Sequence, residues 1–212
     1  MPESSAGSAP ARGGARVALL DAALQVIRAQ GLHATTVDDL CEAAGVTKGA
    51  FFHHFASKED LAVAAADHWS ETTGALFAGA PYHEPEDPVE RVFGYLDFRA
   101  SLITGEPAEY TCLVGTMTQE AFDTSPAVRD ACAASIFGHA ETLEADLAAA
   151  LAASGKGAGV RAASLARHTQ TVLQGAFVLS KAANDPALVL EAIDHLRRYL
   201  GCVLRHPSPK GT

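Results

Sequence analysis

The chain has 212 residues, 48% of them hydrophobic and 19% charged, with a formal net charge of −9. That is enough apolar material for one large domain or a small module joined to a larger one, and the absence of any apolar run of about 18 residues argues against a membrane span. Four cysteines (Cys41, Cys112, Cys132, Cys202) stand far apart with no C-x-x-C pair or histidine cluster, so neither a structural zinc nor a disulfide framework is indicated.

The opening MPESSAGSAPARGGA is rich in Ser, Ala, Gly and Pro and lacks the apolar stretch of a signal peptide. Residues 1–14 are expected to be a flexible arm on a cytoplasmic protein. A first helix runs from about Ala15 to Gln30, with Val17, Leu20, Leu24 and Ile27 on one face and Gly31 closing it. Thr36 and Asp39 form a capping-box pattern for a second helix through Leu40 and Ala44. Gly45 ends it, and Thr47 caps a third helix from Lys48 to His54, where Phe51 and Phe55 share a face. Ser57 with Asp60 starts a fourth helix reaching about Phe77, long enough at roughly 1.5 Å per residue to span about 30 Å. The proline-rich GAPYHEPEDP (79–88) reads as a linker. Further helices are expected at 88–104, 110–122, 125–153, 160–183 and 186–205, separated by GEP, DTSP, SGKGAG and NDP. No alternating Val/Ile/Thr pattern suggests a strand. The fold class is all-α with about nine helices: an arm at 1–14, a three-helix head at 15–60, a helical body at 61–205 and a tail at 206–212.

Residues 36–55, TVDDLCEAAGVTKGAFFHHF, have the arrangement in which two short helices around a tight turn present one helix to the major groove of DNA. Charge does not favour that partner. Residues 1–60 hold five basic residues (Arg12, Arg16, Arg28, Lys48, Lys58) against seven acidic ones, a balance of −2. Long-range attraction to phosphate is weak in such a module, so binding must rest on few, well-placed contacts.

The segment 15–70, with Gly45, Val46, Lys48-Gly49, Phe51-Phe52, His54-Phe55 and SKEDL in register, resembles the N-terminal domain of the TetR family of transcriptional repressors. The resemblance implies a homodimer that binds a palindromic double-stranded DNA operator and is released by a small effector. It places DNA contacts at Thr36, Thr47, Lys48, Phe52, His53, His54 and Lys58, with Gly49 and Ala50 near base edges. Arg12 and Arg16 of the arm can add phosphate contacts. Phe52 departs from the family's usual tyrosine and loses a phosphate hydrogen bond. Ala50 departs from a common hydroxyl residue but can meet a thymine methyl. Phe51 and Phe55 fit the core, and His53 and His54 fit either a DNA contact or a solvated helix end.

In the family the last two helices form the dimer. The corresponding apolar stripes here are Leu165, Val172, Ala176, Leu179, Leu188, Ile193, Leu196 and Leu200, which a monomer could instead bury internally. Candidates for an effector pocket are Tyr95, Phe98, Arg99, Leu102, Met117, Phe137, His168, Gln174 and Phe177, each of which also suits ordinary core. Trp69 fits an anchor or a pocket wall. YTCLVGTMTQE (110–120) and LQGAFVLSKAANDP (173–186) also resemble a branch that includes repressors sensing electrophiles or oxidants through a cysteine at this place. Cys112 then stands as either a reactive sensor, with Lys181 and a helix N-terminus favouring thiolate, or a buried inert thiol. Cys41, Cys132 and Cys202 are expected to be packing residues. No catalytic residue, metal or cofactor is expected; a helical thiol enzyme or ligand-storage bundle is the remote alternative.

Overall fold

The computed structural model describes residues 12–154 and 159–204 and contains eleven α-helical segments and no strand among them. Residues 1–11 of the arm expected at 1–14, and the expected tail at 206–212, lie outside the described residues. Helix α1 (Arg12–Gln30) begins earlier than expected, so residues 12–14 are helical rather than part of the arm. Its buried face runs through Leu19, Leu20, Ala23 and Ile27, while Val17 is exposed.

Four short-range signals held at residue resolution. Thr36 caps α2 (Val37–Ala44), accepting the Asp39 N–H while the Asp39 carboxylate accepts the Thr36 N–H. Gly45 closes α2 at φ 64°, a left-handed conformation that glycine adopts without strain. Thr47 caps α3 (Lys48–His54), and Ser57 caps α4 (Lys58–Ala78).

The segment expected to be a linker is packed. Pro81–His83 forms a 3-10 turn, Ala80 and Tyr82 are buried, and Arg91 of α5 (Pro88–Ser101) donates to the carbonyls of Pro85 and Glu86. The helix expected over 110–122 is preceded by a separate single turn, α6 (Pro107–Tyr110), and begins as α7 (Leu113–Ala121) after an N-cap at Cys112. The helix expected over 125–153 is two, α8 (Pro126–Glu141) and α9 (Glu144–Ser154). The Thr142 hydroxyl donates to the His139 carbonyl, and the Leu143 N–H turns to Ala140 instead, so the local side chain competes with the helical ladder. Helices α10 (Ala162–Ala183) and α11 (Ala187–Leu204) complete the body.

Two apolar cores result. The body core joins α5, α9, α10 and α11 around Leu96, Leu147, Leu173, Ile193 and Leu196. The head core holds Leu19, Ile27, Leu40, Phe51 and Leu61, but it also takes in Leu113, Val114 and Met117 of α7 and Val128 and Cys132 of α8. The head is therefore not closed at residue 60; its underside is made by the body. Cys41 and Cys132 are buried as expected, whereas Cys202 is exposed.

The stripes expected to pair two protomers are largely used inside one. Leu165, Ala176, Ile193, Leu196 and Leu200 are buried in the body core, because α10 and α11 pack on α5 and α9 as well as on each other. Val172 and Leu188 are half-buried, and of the eight only Leu179 is well exposed. Val178, its neighbour in sequence, and Leu190 and Tyr199 of α11 are also exposed.

Candidate functional site

Helix α3 has one face anchored and one free. Phe51 is fully buried and Phe55 nearly so, with ring centroids 5.8 Å apart. This anchoring turns Lys48, Gly49, Phe52 and His53 outward, and Phe52 is 55% exposed. Thr47 is exposed and its hydroxyl accepts the Ala50 N–H at 3.2 Å. His54 is half-buried with its ring against that of His53, and Thr36 is exposed at the start of α2. Lys48 pairs with exposed Asp38 at 2.8 Å, a contact that holds its ammonium above the ordinary lysine range. Arg16 is exposed with its guanidinium over the Phe55 ring at 5.4 Å; the Arg12 side chain lies outside the described part of the molecule.

Lys58 stands apart from the other cations. Its Nζ donates to the carbonyls of Thr35, Leu32 and His33 at 2.7, 2.8 and 3.3 Å. It thus satisfies the carbonyls of the α1–α2 connection from the first residue of α4, a bracing geometry that leaves little for phosphate.

Behind α1 and α4 lies a cavity of about 250 Å³. Arg99, Leu102, Cys112, Gln174 and Phe177, all candidates from the sequence, line it. The other pocket candidates do not. Met117 is fully buried in the head core, and Phe137 is exposed on the outer side of α8. His168 is exposed against Tyr199, Phe98 packs on Phe77, and Lys181 turns to the Arg28 carbonyl and the Thr116 hydroxyl at 3.0 and 2.8 Å. Tyr95 is buried just behind the wall, its hydroxyl bonded to cavity residues Arg99, His139 and Gln170. Trp69 is a wall residue.

Sequence reasoning missed Arg28, Thr73, Leu76, Phe77 and His139 in the lining. Arg28 matters most, since it belongs to α1 of the head. Its Nη1 donates to the Glu109 carbonyl at 2.9 Å, its guanidinium lies over the Trp69 ring at 5.2 Å, and burial pulls its pKa down. A lone arginine near the end of an amphipathic helix gives no signal of this in one dimension. Cys112 sits where α6 meets α7, its Sγ accepting the Gly115 N–H at 3.4 Å.

Residues 19–65 match the profile described as bacterial regulatory proteins, tetR family, and residues 88–195 match the C-terminal domain of LmrA/YxaF-like transcriptional regulators. The chain belongs to the TetR family. Both descriptions concern regulation of transcription, not catalysis. The TetR-family chain is 28% identical over 122 residues to the HTH-type transcriptional regulator YxaF of Bacillus subtilis (strain 168), covering 57% of this chain and 63% of that one. It is 46% identical over 50 residues to the HTH-type transcriptional repressor KstR2 of Rhodococcus jostii (strain RHA1), which is 24% of each chain, so it spans about a quarter of that relative. Among solved structures, a TetR transcriptional regulator from Chloroflexus aurantiacus superposes with a TM-score of 0.79 at 26% identity, covering 93% of this chain and 100% of that one. The reduced form of E. coli NemR gives 0.73 at 20% identity over 92% and 100%, a likeness of fold. No described helix is long and apolar enough to cross a membrane.

Proposed function

We propose that this chain is a homodimeric repressor of the bacterial cytosol that binds a palindromic operator through α3 and leaves it when a small molecule fills the cavity. The observation that carries the reading is the placement of Arg28. One residue of the DNA-binding head lines the cavity, bonds to α6 through Glu109, and offers its own carbonyl to Lys181 of α10. Trp69, Thr73, Leu76 and Phe77 of α4 line the same space. A ligand there touches α1, on which α3 packs, and α4, which follows α3 in the chain, and it shifts the head to the extent that it prefers one placement over another. Two recognition helices must sit about 34 Å apart to read successive major grooves, so a small rotation of each head suffices to release DNA.

In this reading Thr36, Thr47, Lys48, Phe52, His53 and His54 meet the phosphate backbone, Gly49 and Ala50 approach base edges, and Arg16 with Arg12 adds cationic contacts. Lys58 acts as a brace. The partner protomer covers Leu179, Val178, Leu190 and Tyr199, which α10 and α11 leave exposed. The test is footprinting of the purified chain on DNA flanking its own gene at low salt. Protection of a two-fold symmetric site is expected; uniform, sequence-independent binding at all salt concentrations would refute the reading.

A second trigger has its own observation: Cys112 lies on the cavity wall and is half-buried rather than sealed in. Its sulfur can add to an electrophilic alkene, the thiol proton ending on the adjacent carbon. N-ethylmaleimide should then release operator from the wild-type chain and not from Cys112→Ser, with DNA affinity equal before treatment. Equal release from both would remove Cys112 as the trigger.

A further inference from the structure

Three polar residues of the cavity lining, Arg99, His139 and Gln170, join Tyr95 behind it in one hydrogen-bonded cluster. Arg99 of α5 donates from Nε to the Tyr95 hydroxyl at 2.9 Å and from Nη2 to His139 Nε2 at 2.8 Å. Gln170 of α10 donates to the same hydroxyl at 3.3 Å, and that oxygen lies 3.1 Å from His139 Nε2. His139 is an acceptor in this network and is uncharged near neutral pH, because burial and then the Arg99 charge push it down to about 3. Every partner of the Arg99 guanidinium is therefore neutral.

Among the described residues no carboxylate lies within ion-pair distance of Arg99, and its Nη1 has no hydrogen-bond partner. The guanidinium stacks on the Phe77 ring at 4.3 Å. Three lining residues carry formal charge: Arg28, Arg99 and Glu109. Glu109 is exposed, accepts the Glu106 N–H at 2.6 Å and faces Arg28 electrostatically, so its charge is used there. The cavity thus holds one cation in excess, half out of water, with a corner of its donor fork open. A guanidinium with a free N–H edge at a cavity wall is suited to meet an anion there.

We propose that the cavity takes a compact amphipathic monocarboxylate, its carboxylate on Arg99 and its apolar body against Trp69, Leu76, Phe77, Ile136 and Phe177. The assignment rests on the reading of this cavity as the effector site. One excess positive charge matches one carboxylate, and planar guanidinium geometry suits it. A volume of about 250 Å³ is below the roughly 300–1,000 Å³ of sites for drug-sized molecules, which favours a small ligand.

Trp69 is the only tryptophan of the chain and lines the cavity, so its fluorescence reports occupancy directly. The full-length protein is titrated with 4-phenylbutyrate, with the neutral 4-phenylbutyramide and with the cationic 4-phenylbutylamine. The acid should quench or shift Trp69 saturably and bind at least about tenfold tighter than the amide, as a charge-assisted bond provides. Arg99→Met should make acid and amide equal, while Arg99→Lys keeps part of the preference. If Arg99→Met does not fold by circular dichroism, the wild-type ranking and Arg99→Lys decide. Equal affinity for acid and amide, tighter binding of the amine, or no saturable response to any of the three overturns the assignment. Operator release tells the two readings apart. Release by amide as readily as by acid removes the carboxylate and keeps the repressor; selective acid binding at Arg99 with no effect on operator does the reverse.

Discussion

Two lysines within ten residues of each other have opposite surroundings, and that difference is measurable. Lys48 is exposed and held only by Asp38, whereas Lys58 feeds three backbone carbonyls. Lys48→Gln should weaken operator binding and reduce the slope of log affinity against log salt by about one. Lys58→Gln should leave that slope unchanged and instead lower the unfolding midpoint, since the carbonyls of Leu32, His33 and Thr35 lose their donor. A salt slope altered by Lys58→Gln would return it to the phosphate contacts. His139 gives a residue-scale pH effect. Its folded pKa lies near 3, below the ordinary histidine value of about 6.5. Between those values the unfolded chain takes up a proton that the folded chain refuses, so stability is complete above about pH 6.5 and declines as pH falls. A step from pH 6.5 to 5.5 should cost about 1 kcal/mol more in wild type than in His139→Gln, measured by urea unfolding.

Short helices depend on their ends, and α2 and α3 illustrate why the head was readable from sequence. Each end is written in adjacent residues: Thr36 with Asp39, then Gly45, then Thr47. Thr47→Ala should cost about 1 kcal/mol through loss of the cap. Gly45→Ala should cost about 1–2 kcal/mol from backbone strain alone, because an added Cβ meets no atom within 4 Å. Differential scanning calorimetry would show both, and a neutral Gly45→Ala would mean that the turn relaxes. What sequence could not show was set by distant partners. The break at Thr142 depends on a hydroxyl choosing a carbonyl, and the apolar stripes of α10 and α11 look the same whether they face a partner or their own core. Similarly, Leu76 and Phe77 have the spacing of core residues, and only tertiary packing makes them walls of a cavity.

At the scale of the whole molecule, buried and exposed residues of the last two helices should behave differently. Leu196→Ala, in the body core, should cost about 2–5 kcal/mol of stability without changing the oligomer. Leu179→Glu should leave the fold intact but convert a dimer to a monomer in sedimentation velocity, and weaken operator binding with it. A dimer that survives charges at both Leu179 and Tyr199 would place the interface elsewhere. The shared core of head and body also bears on the order in which the chain is made. Synthesis delivers α1 to α4 first, yet Leu113, Met117, Val128 and Cys132, which seal their underside, follow dozens of residues later. A nascent chain that has exposed only its first four helices carries an unfinished apolar surface, suited to chaperones rather than to DNA. On the proposed reading, the operator is recognised only by chains in which α7 and α8 have already closed the head core.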